Sequence, residues 1–449
     1  MERENSFMRT KPVFPLLVSM SVPMMLSMLI QSLYNIVDSI YVSRLGTDAL
    51  TAVSLAYPLQ NAIVSVGVGI GVGISSAVSI YLGSGDQEKA DRAATLGVIL
   101  TFFHCILFVL AGIFITRPFL HLFTDDPDIL KDACDYTYIV LCLSFGALLQ
   151  LAFEKIFQSI GKMKITMYLL IVGCVINIIL DPVLIFGLLG FPALGVAGAA
   201  IATVIGQISA FLLYILVYVR KSYAVRIRLK YVRPDWKIIR RIYSVGIPSS
   251  IMMLLPSVLI SLLNRILASF SDLYVAVLGV YFKLQTFIYM PANGIVQGMR
   301  PILGYNYGAG EHARVRSTIR YSLGCAAAIM LIGTLLSLIL PGQIFTLFDA
   351  DAALMSAGVT ALRIICLGFL ISSIGVIYAG AFEALGNGRG SLIISLLRQF
   401  VITIPLSYML SHFFGPVGVW IAFPAGELCA AVVAFFLLKT YKKGAFSPF

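Results

Sequence analysis

Four residues stand where an apolar chain has no ordinary use for them: Asp38, Asn177, Asp181 and Thr203. In the run NIILDPVLIFG (177–187), Asn177 and Asp181 are four apart and share one helix face. Asp38 ends a stripe of Ser27, Gln31, Tyr34 and Asn35, whose offsets of 4, 3, 1 and 3 keep all five on one side of a helix. Thr203 and Gln207 are again four apart, behind the small-residue run GVAGAA (195–200) that lets a neighbouring helix approach closely. An ionised aspartate at mid-membrane costs at least ~2.5–3.5 kcal/mol. Neither Asp38 nor Asp181 has a Lys or Arg in its own apolar segment at contact spacing. Two such charges near each other are relieved by a proton, or by a small cation that also takes oxygens from Asn177, Thr203 and backbone carbonyls. Pro182 adds an acceptor, because it has no N–H to bond the carbonyl of Ile178.

Residues with that task need rigid supports inside lipid, and the composition supplies them. The chain has 449 residues, 59% hydrophobic and 12% charged, with a mean hydropathy of +0.95; soluble domains carry about 25% charged residues. Twelve apolar segments can be marked, at 13–41, 50–82, 93–116, 134–154, 165–190, 194–219, 242–268, 274–304, 321–341, 359–384, 391–413 and 416–438. Most exceed the ~20 residues a helix needs to cross the hydrocarbon core, and continuous runs exclude a β-barrel. The expected fold is an all-α integral membrane protein with 12 transmembrane helices. Its net charge of +11 is a topology signal and not a sign of nucleic acid: 24 Lys and Arg lie in connections on one side and four (Arg44, Arg117, Lys131, Arg265) on the other. By the positive-inside rule both termini are cytoplasmic. The first segment lacks a cleavage site behind a short apolar core, so it is expected to be retained. Seven dispersed cysteines without a CxxC pair predict neither disulfides nor a zinc site. No nucleophile–base pair or metal cluster points to an enzyme.

The chain is a duplication. Sliding it by 225 residues brings Pro23 onto Pro248, Gly69 onto Gly294, Gly73 onto Gly298, Gly83 onto Gly308, Phe157 onto Phe382 and Gly161 onto Gly386; a five-residue gap then brings Gly195 and Gly198 onto Gly415 and Gly418. Six spans per half make the repeats parallel, related by a pseudo-two-fold along the membrane normal, a transporter layout with its substrate site expected between the halves. The expected domains are an amino-terminal lobe at 1–219, a basic cytoplasmic linker at 220–241 and a carboxy-terminal lobe at 242–449. Asp38 and Asp181 fall on Leu263 and Leu406 at that offset, so the acids belong to the first half alone. The expected substrate cavity is lined by Met28, Gln31, Asn35 and Gln207 from the first half and Met253, Tyr289, Asn293, Gln297 and Arg398 from the second. Arg398 either binds an anion there or pairs with a carbonyl cluster. Glu154 and Glu383, near helix ends, are expected to be solvated caps. The glycines of GVGIGVG (67–73), with no strand before them and no Lys-Ser/Thr after, are expected to serve close helix packing and not phosphate binding.

The blocks LYNIVDSIYVSRLG (33–46), NIILDP…GVAGAAIAT (177–203) and GYNYGAG (304–310), with the six-plus-six layout, resemble the multidrug and toxic compound extrusion (MATE) transporters over essentially the whole chain. The resemblance implies a V-shaped, two-lobed exporter that exchanges H+ or Na+ for organic cations. It implies no cofactor beyond that ion, and it gives amphipathic cationic drugs and membrane lipid as partners. A monomer in a bacterial inner membrane is expected. In the DinF-like branch the cation site, for H+ or Na+, matches Asp38, Asn177, Asp181 and Thr203, with Tyr34 one turn before Asp38; the bacterial group that this chain resembles most is the MepA-like one. The NorM-like branch uses acids in the second lobe, and spans 7 and 8 have none here. A lipid or polysaccharide-precursor flippase of the same superfamily is the rival reading, and it would want several cavity arginines.

Overall fold

With no water to bond their amides, apolar runs of this length close every backbone hydrogen bond within the run. The computed structural model describes residues 7–348 and 350–445, without the side chains of 440–445, and among these there are helices and no strands. Arg3, Asp349 and the side chains of Lys442 and Lys443 lie outside the described residues. In chain order the helices are α1 (Phe7–Thr10), α2 (Val13–Ser43), α3 (Thr47–Gly83), α4 (Gln87–Leu120), α5 (Pro127–Cys142), α6 (Phe145–Ser159), α7 (Met163–Phe186), α8 (Gly195–Arg220), α9 (Trp236–Ala268), α10 (Asp272–Gly308), α11 (His312–Ile339), α12 (Pro341–Thr346), α13 (Ala352–Ile365), α14 (Leu367–Ala384), α15 (Gly388–Leu396), α16 (Thr403–Phe414) and α17 (Pro416–Ala445). Among the described residues eleven spans are long and apolar enough to cross a membrane, α15 and α16 counting as one, and α5–α6, bent by 44°, makes a twelfth. The segment expected at 359–384 is broken: α13 stops at Ile365 and α14 carries the span. Pro182 does not interrupt α7, which runs on to Phe186 and stops at Gly187, whose φ of 73° is the left-handed cap that glycine adopts without strain.

The described chain divides into two units. One comprises Leu26–Ser250; the other comprises Met8–Met25 with the chain from Ile251 onward. Helices α2 and α9 therefore each change unit in mid-helix, after Met25 and after Ser250, positions that are 225 apart. The GVGIGVG run makes the first unit close-packed on two faces. A methyl group on Gly67 or Gly71 would strike α6 side chains at Leu148, Leu151 and Lys155; on Gly69 or Gly73 it would strike α9 backbone at Gly246, Ser250 and Ile242. In the second unit Gly294 and Gly298 pack in the same way on Met25 and Ser21 of α2. The core of the first unit gathers Val42, Ala56, Ile63, Tyr136, Val140, Leu148, Ile185 and Ala199 from six helices.

The basic segment between α8 and α9 is tied to the start of α4. Asp91, 3% exposed, accepts from the Arg226 amide at 2.9 Å and from Gln87 Nε2 at 2.8 Å, and it pairs with Arg228 Nε at 3.5 Å. Arg92 pairs with Asp235 at 3.1 Å. Burial opposes ionisation of Asp235, but the Arg92 hydrogen bond and the amides of Ile238 and Lys237 outweigh it and hold the carboxyl below its usual range. A carboxyl depressed in the folded state contributes stability above its unfolded pKa of about 3.9 and loses it as pH falls through the folded value, so this tie is complete at neutral pH. Asp91→Ala should free the segment. Losing a buried acceptor costs about 1–3 kcal/mol, so trypsin should cleave after Arg226 and Arg228 roughly tenfold faster or more; an unchanged cleavage rate would contradict the docking.

Candidate functional site

Helices α7 and α8 approach closely because glycines face backbone. A methyl on Gly198 would meet the Leu184 carbonyl, and one on Gly206 would meet the Gly173 carbonyl and Asn177 Cβ. That approach sets Thr203 of α8 beside Asn177 and Asp181 of α7. Asn177 Nδ2 donates to Asp181 Oδ1 at 3.3 Å and to Thr203 Oγ1 at 3.4 Å. The three residues are 2%, 0% and 4% exposed. From α2, Asp38 and Tyr34 lie within electrostatic reach of Asp181. Tyr136 of α5 is within reach of both acids and donates to Gln60 Oε1 at 3.3 Å; neither Tyr136 nor Gln60 stood out in the sequence. Asp38 Oδ1, Asn177 Oδ1 and Asp181 Oδ2 are buried with no donor among the described residues. Three orphaned acceptors, two of them carboxylate oxygens, are what a proton or a hard monovalent cation satisfies.

A cavity of about 90 Å³ opens beside this group, bordered by Gln31, Tyr34, Glu154, Asn177, Thr203 and Gln207 among others. It has room for an ion and a few waters, whereas drug-sized ligands need about 300–1,000 Å³. Of the residues expected to line a substrate cavity, Gln31 and Gln207 border it; Met28 and Asn35 do not. In the other unit Tyr289 is buried and donates to Ser372 Oγ at 2.7 Å, Gln297 is half-buried, and Asn293 and Met253 are exposed.

Three expectations are corrected by burial. Glu154 is no solvated cap: it is 6% exposed and takes bonds from Lys155 Nζ at 3.0 Å and Gln158 Nε2 at 2.8 Å. Glu383, 3% exposed, pairs with Arg300. Arg398 neither waits for an anion nor faces carbonyls alone, because its Nε meets Glu427 Oε1 of α17 at 3.3 Å. The signal for Glu427 was in the sequence: Gly206-Gln207 falls on Gly426-Glu427 at the 220 offset.

The MatE family model matches residues 23–183 and again residues 248–409. The chain belongs to the MatE family. The two matches begin at residues 23 and 248, the same offset of 225 that the glycines and prolines give. Multidrug export protein MepA of Staphylococcus saprophyticus is 29% identical over 431 residues, spanning 95% of this chain and 94% of that one. A crystal structure of MATE in the straight conformation superposes with a TM-score of 0.92 at 26% identity, and one in the bent conformation with 0.91 at 27%, each covering 99% of both chains. The protein is thus a multi-pass membrane protein with the MatE fold.

The second MatE repeat carries a one-residue insertion. A methyl on Gly206 meets the Gly173 carbonyl and Asn177, whereas one on Gly426 meets the Arg398 carbonyl and Thr403. Gly173 therefore corresponds to Arg398, 225 apart, but Asn177 corresponds to Thr403, 226 apart. The π-helical turn at Leu397–Val401 absorbs the extra residue. Asp181 consequently matches Ser407 and not Leu406.

Proposed function

We propose that this MatE protein is an ion-coupled multidrug exporter in a bacterial inner membrane, with both termini cytoplasmic. It exchanges H+ or Na+ bound at Asp38, Asn177, Asp181 and Thr203 for amphipathic organic cations. The single observation that carries the reading is three buried, donorless oxygens on Asp38, Asn177 and Asp181, with Asn177 bonded to Asp181 and Asp38 within electrostatic reach of it. The export of drugs rests on the likeness to Multidrug export protein MepA. The coupling ion acts by binding one state of the transporter more tightly than the other; without that difference it would bias nothing. A flippase for lipid-linked precursors loses its only support in the sequence, since Arg398 is already paired.

Drug efflux from proteoliposomes, with a pH gradient and a sodium gradient imposed separately, tests the reading. At least one gradient should accelerate efflux severalfold over the gradient-free rate. Equal rates under all conditions would overturn the coupling.

A further inference from the structure

The amino-terminal cavity is bordered by Val64, Ala147, Gln150, Gly173 and Gln207. In the repeat register these positions are taken by Tyr289, Ser372, Gly375, Arg398 and Glu427, the first four at 225 and the last at 220. Three small lining residues have become large or polar, one glutamine a glycine, and the other an acid. In the carboxy-terminal unit the substituted residues touch one another. Arg398 Nε faces Glu427 Oε1 at 3.3 Å, and the guanidinium carbon lies 6.0 Å from the centroid of the Tyr289 ring. Tyr289 in turn holds Ser372. The Arg398 stem passes Gly375, 3.8 Å from where a methyl group on that glycine would stand. The two ionic side chains are 19% and 13% exposed, and Glu427 Oε2 and Gln399 Oε1 are buried with no donor among the described residues. A buried ion pair is often no better for stability than apolar residues of the same volume. An acid beside an aromatic face, on the other hand, is an arrangement that holds organic cations.

We propose that Tyr289, Ser372, Arg398 and Glu427 form a second cation site, set by the repeat at the position of the amino-terminal cavity and permanently filled by the chain's own guanidinium. Glu427 is its acid and Tyr289 its aromatic wall. The ligand it takes once Arg398 is removed is a small guanidinium-type organic cation. The tethered occupant closes this unit to exchange; on the coupling reading above, on which this clause alone rests, the amino-terminal unit is then the one that trades an ion.

The test is thermal unfolding of purified Arg398→Ala with methylguanidinium as the probe. A saturable stabilisation on the order of 4 °C is expected at a hundredfold excess over its Kd. Wild type, where the site is occupied, should not respond, nor should Arg398→Ala/Glu427→Gln, where the acid is gone. Equal responses of Arg398→Ala and that double variant, or an equal response of wild type, would overturn the proposal. If Arg398→Ala does not fold alone, methylguanidinium present during purification must recover it, and failure to do so while Arg398→Met/Glu427→Met folds would also overturn it. The response should persist in Arg398→Ala/Asp181→Asn. Its loss there would place the ligand in the amino-terminal unit and sink this proposal, whereas wild-type efflux in Asp181→Asn would sink the coupling reading alone.

Discussion

Asp181→Asn is expected to cut gradient-driven drug efflux by about 5- to 150-fold, the range that coupling free energies of about 1–3 kcal/mol produce, while the protein stays folded. Asp181 is fully buried, one oxygen is held by Asn177, and the other has no donor. Asparagine keeps the shape but cannot carry the charge, so the ion loses its grip on both states of the transporter and can no longer favour one. Stability should not fall, because an uncompensated buried carboxylate is no asset to the fold. Thr203→Val removes only the long 3.4 Å bond from Asn177, and efflux should drop less than tenfold. Efflux assays in proteoliposomes, paired with thermal unfolding of the same preparations, check both. Wild-type efflux in Asp181→Asn, or a loss seen only where the variant has unfolded, would contradict the assignment.

Gly73→Ala is expected to destabilise by about 1–3 kcal/mol despite placing a better helix former in mid-helix. The added methyl would collide with the Ile242 carbonyl and the Gly246 amide of α9, and backbone cannot swing aside as a side chain tip can. Gly298→Ala should cost a similar amount, since its repeat-related contact is the Ser21 backbone of α2. Gly324 of α11 is the control: an added methyl there meets nothing within 4 Å, so Gly324→Ala should be neutral or stabilising by up to about 1 kcal/mol. Melting temperatures of the three purified variants decide this. Gly73→Ala melting with Gly324→Ala would mean that α3 and α9 do not rely on close backbone approach.

The architecture was legible because lipid imposes one rule on every span, and because glycines at positions such as 69, 73, 294 and 298 are held by backbone contacts that no other residue permits. The meeting of Asn177, Asp181 and Thr203 was legible for a related reason: Asn177 and Asp181 share a helix face by arithmetic, and GVAGAA (195–200) announces the helix that brings Thr203. What failed was everything that depends on which way one side chain turns. Glu154 and Glu383 lie near helix ends, where solvated and buried carboxylates look alike in sequence, yet each is covered and paired. Arg398 stood out as a lone cation in an apolar stretch, whereas Glu427 is marked only by its repeat match with Gln207, which appears once the five-residue gap has been placed. The π turn at Leu397–Val401 left no trace, since one extra residue inside a helix does not disturb its hydrophobic pattern. It moved the match of Asp181 from Leu406 to Ser407, while Arg398 keeps its repeat match with Gly173.

The most direct measurement is the ion movement evoked by drug in proteoliposomes with no gradient imposed at the start, recorded as proton and sodium flux. Wild type should move one or both ions against the drug. Asp38→Asn/Asp181→Asn, still folded and still binding drug, should move neither. Undiminished drug-evoked flux in that double variant would contradict the account, because the coupling ion would then bind somewhere other than these two acids.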